Sequence, residues 1–222
     1  MNERTHDRLF AGCGIAFVVL DLVGAIIATA GGKTHNLTIS STSAQVAHAV
    51  AKPAGTAVWI GAYLELLSVG AFLAFAVWAC AKLGGGLLGA IGRAAATGYA
   101  TVMIASLGVM AAIAYRAGHG MGVQLATTLV TLNEALYVGT WFLTVFFLLA
   151  AGALALSGAR RGALGWSAIS VATITLIGTA VSLENLGQLS SMLWFAWIVY
   201  ASIAIARGKP TPAGAVAVAQ SA

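Results

Sequence analysis

The chain's 222 residues are 60% hydrophobic and only 8% charged, with a mean hydropathy of +0.94, whereas soluble domains are roughly a quarter charged. This excludes a soluble globular protein and predicts an all-α, multi-pass membrane bundle. A span takes about 20 apolar residues, so the length holds about six spans and no large soluble domain. The net charge of +5 would point to nucleic acid in a soluble protein. Here Lys and Arg sit in short flanks between apolar runs, where they set topology and meet lipid headgroups. The expected surroundings are a lipid bilayer, with no nucleic acid partner.

The first apolar run, 9–30, follows Arg4 and Arg8 and ends in Ala28-Thr29-Ala30, which superficially resembles a signal-peptide cleavage site. Its length and the central Asp21 predict an uncleaved first span. The only long connection follows, 31–53, rich in Ser and Thr. Within it residues 43–52 predict a short amphipathic helix stopped by Pro53 and lying along the outer interface. Further spans are expected at 54–81, 94–115, 125–156, 165–183 and 189–206. Gly84, Gly85, Gly86, Gly89 and Gly92 predict a loop into the third span, and Gly118, Gly120 and Gly122 predict turns around His119. The domain is expected over 1–207. After Arg207 the tail 208–222, with Pro210 and Pro212, is expected to be flexible and dispensable. Cys13 and Cys80 face the same membrane level and are expected to be free thiols.

With the N-terminus inside, the inner flanks hold Arg4, Arg8, Lys82, Arg93, Arg160, Arg161, Arg207 and Lys209, and the outer ones Lys33, Lys52 and Arg116. The excess predicts both termini in the cytoplasm of a bacterial plasma-membrane protein.

Four of the six acidic residues, Asp21, Glu65, Glu134 and Glu184, lie within or at the edge of the spans, where carboxylates are costly and mark function. At 1.5 Å per residue, Asp21 lies roughly 18 Å beyond Leu9 and Glu65 roughly 16 Å beyond Ala54 on the opposite-running second span, nearly one level. Asp21 shares its helical face with Gly14, Gly24, Ala25 and Ala28, and Glu65 with Gly61, Ala62 and Ser68, small residues that permit close helix contact. Both therefore face the interior as the candidate ligand or proton site. Glu134 joins Thr127, Thr131, Tyr137 and Trp141 in a polar and aromatic stripe able to line a cavity. Glu184, Asn185, Arg116 and His119 form the expected rim, with Arg116 the natural ion-pair partner of Glu134 or Glu184.

Several chemistries lack their residues. No lysine lies within a span to hold a retinal Schiff base, and no G-x-S-x-G elbow, H-E-x-x-H or Asp-rich diphosphate motif occurs. His6, His35, His48 and His119 all lie outside the spans, so no metal and no cofactor is expected.

The stretch Ser41-Thr42-Ser43-Ala44-Gln45-Val46-Ala47, then Gly61-Ala62-Tyr63-Leu64-Glu65, then Arg160-Arg161-Gly162-Ala163-Leu164-Gly165-Trp166 resembles actinobacterial six-helix membrane proteins related to the family catalogued as domain of unknown function 4386. The resemblance implies six membrane helices, a long first outer loop and the Arg-x-x-Leu-Gly-Trp-like entry to the fifth span. It transfers no biochemical role.

Three functions stay open. In the first, an outward-facing acidic cavity binds a small cationic or amphipathic ligand for proton-linked transport or sensing, with Asp21 and Glu65 as the titrating pair. In the second, the chain is an intramembrane enzyme on a lipid or isoprenoid, with Glu65 as general acid and Tyr63, Tyr137 and Trp141 stabilising a carbocation through their π faces. In the third, it is a structural subunit without a ligand. Enzyme and non-enzyme readings both fit these residues, as does an oligomer.

Overall fold

The computed structural model describes residues 3–32, 37–158, 162–181 and 184–207, the side chains of 180–188 excepted. Within these residues the chain is all-helical, with seven helices: α1 (Glu3–Gly31), α2 (Ser43–Val50), α3 (Thr56–Leu83), α4 (Gly86–Arg116), α5 (Val123–Ser157), α6 (Gly162–Val181) and α7 (Glu184–Arg207). All but α2 are long and apolar enough to cross a membrane, the character of a multi-pass membrane protein. Leu22, Ile26, Ile60, Phe146, Ile177 and other large apolar side chains stay exposed around the bundle, where lipid replaces the water that would penalise them.

The helices overrun the apolar runs at several ends, because polar residues can continue a helix through the headgroup region. α1 begins at Glu3, not Leu9, and its charged first turns are anchored on the end of α3. Lys82 Nζ lies 3.1 Å from Glu3 Oε1 and 3.0 Å from Asp7 Oδ1, and the Trp78 indole donates to Asp7 at 3.1 Å. α4 begins at Gly86, so the predicted glycine loop shrinks to a turn at Gly84 and Gly85 with positive φ. Gly92, expected in that loop, is helical and buried. A Cβ there would lie 2.7 Å from Cys80 Sγ and 3.5 Å from Ala150, so close three-helix contact, not turn formation, requires this glycine. Cys13 and Cys80 are both free.

The predicted amphipathic helix 43–52 stops at Val50. It starts on a capping box: the Thr42 side chain accepts from the Gln45 N–H at 3.3 Å while Gln45 Oε1 accepts from the Thr42 N–H at 2.7 Å. Val46, Ala49 and Val50 pack with Ile113, Ala117, Ala126 and Val130 of the α4–α5 corner. The Gly118 N–H donates to the Val50 carbonyl at 2.8 Å. This fastens α2 over the end of the bundle where α1 and α4 finish and α3 and α5 begin.

α3 is the central helix, in contact with α1, α4, α5 and α7. Its Phe72, fully buried, is the hub of an aromatic cluster drawn from five helices. Ring centroids lie 5.2 Å away at Phe17 on α1, 4.8 Å at Tyr99 on α4, 5.5 Å at Phe147 on α5 and 5.5 Å at Trp194 on α7. α1 and α3 run antiparallel and approach through small residues. A Cβ on Gly24 would meet the Gly61 carbonyl at 2.9 Å, and one on Gly61 would meet Ala28 at 2.6 Å. In lipid such van der Waals contact, not hydrophobic exclusion, holds helices together. α4 and α5 are joined by the Ser106 hydroxyl donating to Asn133 Oδ1 at 2.7 Å.

Candidate functional site

The Gly24–Gly61 contact brings the Asp21 and Glu65 segments together. A Cβ on Gly24 would lie 3.0 Å from Glu65 Cγ. The Ser68 hydroxyl, fully buried, lies 3.1 Å from Asp21 Oδ1 on α1 and 2.7 Å from the Glu65 carbonyl on its own helix. The two acids are thus neighbours at one level, as the sequence spacing predicts. Their side chains nevertheless enter different cavities.

Asp21 lines a narrow cleft between α1, α4, α5 and α7, about 340 Å³ counting its open mouth, whose solid-walled part suits water or a small cation. Its walls are aromatic: Tyr99, Tyr137, Trp141, Trp194 and Phe195. Thr140, Thr144 and Ser191 add hydroxyls, and Met103 completes the lining. Tyr137 and Trp141 meet edge to face at 5.7 Å, and Tyr137 shares a side-chain hydrogen bond with Ser191. Tyr99 and Trp194 also belong to the Phe72 cluster, so the cleft floor is the packed aromatic core and its geometry is held by five helices. Asp21 is the sole carboxylate among the cleft's lining residues. It lies ten residues before Gly31, about 15 Å along α1 from the α2 end of the bundle.

Glu65, only 6% exposed, lines the second cavity, between α3 and α4, with Val58, Trp59, Ala62, Leu107, Met110, Ala111 and Ala114. This pocket is apolar apart from the carboxyl. The expected titrating pair in one cavity is therefore not assembled. Asp21 and Glu65 approach each other across the helix contact while α3 turns them to opposite sides.

Of the other predicted residues, Tyr137 and Trp141 join Asp21. Tyr63 does not: it is 61% exposed on the outer surface of α3. Two residues from Glu65 is about 200° of helical rotation, so the two cannot share a face. Glu134, half-buried, lines neither cavity. Thr127 and Thr131 lie on the exposed side of α5, each hydroxyl bonding back to the carbonyl four residues earlier at 3.0 Å. Arg116 is exposed and makes no ion pair with Glu134 among the described residues. His119, also exposed, stacks on Tyr115 at 6.1 Å, and its Nδ1 lies 3.1 Å from the Ala117 carbonyl. The side chains of Glu184 and Asn185 lie outside the described residues, so the Arg116–Glu184 pairing and the predicted rim stay unplaced.

Tyr99, Met103, Thr140, Thr144, Trp194 and Phe195 are cleft residues absent from the sequence-based set. Thr140 and Thr144 had a readable signal, three and seven residues beyond Tyr137 on the same helical face. Tyr99 and Trp194 had none, because their inclusion depends on how α4 and α7 are rotated in the bundle. Among the described residues no cluster of three or more His, Cys, Asp or Glu side chains is placed to hold a metal ion. Comparison with protein-family models, curated proteins and solved structures finds no match.

Proposed function

We propose that this chain is a multi-pass protein of the bacterial plasma membrane, both termini cytoplasmic, that binds a small organic cation in the Asp21 cleft for proton-linked transport or sensing. The observation that carries this is one carboxylate walled by five aromatic side chains, Tyr99, Tyr137, Trp141, Trp194 and Phe195. Aromatic faces attract cations through the ring quadrupole, more strongly when water is excluded, and quaternary ammonium groups are recognised this way. A carboxylate adds the full countercharge and a site where a proton competes with the ligand. The bias of Lys and Arg toward the flanks at the other end supports an outward-facing α2 end, which sets the cleft about 15 Å below the outer boundary.

The test uses the purified full-length protein in detergent micelles, titrated with tetramethylammonium while tryptophan fluorescence is followed, since Trp141 and Trp194 line the cleft. Saturable quenching is expected, absent with sodium at equal ionic strength and lost in Asp21→Asn. A wild-type protein whose emission ignores tetramethylammonium sinks the proposal.

The isoprenoid-enzyme reading is weaker on this geometry. Its general acid, Glu65, opens into a pocket whose only aromatic wall is Trp59, while the π faces surround Asp21. Tyr63 reaches neither cavity.

A further inference from the structure

A serine hydroxyl owns one proton, and Ser68 has two acceptors for it: Asp21 Oδ1 across the helix contact at 3.1 Å and the Glu65 carbonyl one turn back on α3 at 2.7 Å. Ser68 is completely buried, so bulk water does not take the place of whichever bond is given up. We propose that Ser68 is a positioning residue that reads the charge on Asp21 and transmits it to α3 at Glu65. The inference builds on the cation-binding reading of the Asp21 cleft.

The physical basis is the difference between the two acceptors. An ionised carboxylate accepts a charge-assisted hydrogen bond roughly twice as strong as that to a neutral carbonyl. With the cleft empty and Asp21 ionised, the hydroxyl turns toward α1. Once a bound cation or a proton neutralises Asp21, that advantage falls away and the hydroxyl returns to the Glu65 carbonyl. Serine back-bonding to the preceding turn bends a helix. The bend would fall in the one turn of α3 whose Glu65 side chain lines the separate α3–α4 pocket, so occupancy of one cavity alters the wall of the other. The titratable groups that face Asp21 from the packed helices are Glu65 on α3, Tyr99 on α4 and Tyr137 on α5; α7 contributes the uncharged Ser191, Trp194 and Phe195.

Infrared difference spectra of the full chain across an acid pH step test this without any ligand. Asp21→Asn identifies two bands, the carboxylate stretch lost on acidification and the protonated C=O stretch gained. Ser68→Ala is expected to move the carboxylate band and leave the protonated C=O band in place, and Ser68→Thr to restore the wild-type carboxylate position. A Ser68→Ala protein with both bands unmoved, or with both shifted as a fixed bond would require, overturns the proposal. In parallel, the pH at which tetramethylammonium binding is half lost should rise by about one unit in Ser68→Ala, because the proton competes better for a carboxylate deprived of a donor. Ser68→Thr should keep the wild-type profile. If the wild-type protein binds no tetramethylammonium while the infrared pattern appears as expected, the cation reading fails and the role of Ser68 stands.

Discussion

The two buried acids make an instructive pair, because they sit at the same level on touching helices and yet occupy different surroundings. Asp21 opens into a cleft with five aromatic walls and the hydroxyls of Thr140, Thr144 and Ser191, while Glu65 opens into a pocket of aliphatic and methionine side chains with Trp59 as its one aromatic wall. The cause is rotation about α3. The Gly24–Gly61 approach fixes which faces of α1 and α3 meet, Asp21 passes to the side of α5 and α7, and Glu65 passes to the side of α4. A carboxyl at mid-membrane is therefore insufficient to define a site. Polar and aromatic side chains line the cavity that Asp21 enters, whereas the one that Glu65 enters is lined by apolar side chains.

The severest way to break the comparison is at the contact that creates it. A Cβ at Gly61 would come within 2.5 Å of the Gly24 carbonyl and 2.6 Å of Ala28, both on backbone or short side chains that cannot swing aside. Gly61→Val should force α1 from α3 at an overpacking cost of about 3 kcal/mol. Thermal unfolding in detergent should show a markedly lower midpoint, and cation-dependent quenching should vanish with it. Gly70, where an added Cβ meets nothing within 4 Å, provides the control, and Gly70→Ala should unfold like wild type.

Next in size is the exchange of the acids themselves. Asp21→Asn removes the countercharge from the aromatic cleft and should weaken tetramethylammonium binding at least tenfold, corresponding to about 1.4 kcal/mol or more. Glu65→Gln, in the other cavity, should change it by less than about threefold, equivalent to under roughly 0.7 kcal/mol. The comparison collapses if titration calorimetry finds the two losses equal, since the carboxyls would then act on one site.

The sequence makes the first half of this comparison readable and hides the second. Six spans follow from runs of apolar residues, because a backbone in lipid must satisfy its own hydrogen bonds as helix. The shared depth of Asp21 and Glu65 follows from counting 1.5 Å per residue, and their small-residue faces announce the contact. Which side of α3 each carboxyl enters does not follow, since a helix rotation of a few tens of degrees exchanges one neighbour for another without altering any sequence pattern. Tyr99 shows the limit. It is one of two tyrosines on an apolar α4 and reads as an ordinary core residue until the bundle turns it toward Asp21. The glycines in the first turns of α4, Gly89 and Gly92, mislead for a related reason, as close packing and turn formation select the same residue.

A subtler probe replaces an aromatic face with a smaller aliphatic side chain. Trp194→Leu takes away one wall of the Asp21 cleft and also an edge-to-face contact with Phe72, so its effect on stability and on binding will mix. Trp141→Leu is cleaner, because Trp141 is only partly buried and its ring contact is with Tyr137. A desolvated cation–π contact contributes about 1 to 2 kcal/mol, so binding should weaken by roughly five- to thirtyfold. The unfolding midpoint should move little. A loss of stability without a loss of affinity would mean that Trp141 packs the cleft without recognising the ligand.

The smallest expected effect lies on the outer face of α3. Tyr63 is two residues from Glu65 and points outward at 61% exposure, toward lipid in the membrane. Its hydroxyl lines neither cavity. Tyr63→Phe should therefore leave tetramethylammonium affinity, its pH profile and the unfolding midpoint unchanged within error. The value of so small an effect is that it tests rotation alone. If Tyr63→Phe weakens binding, α3 presents a different face to the interior, Asp21 and Glu65 need not be divided between two cavities, and a single carboxyl pair regains its place as the site.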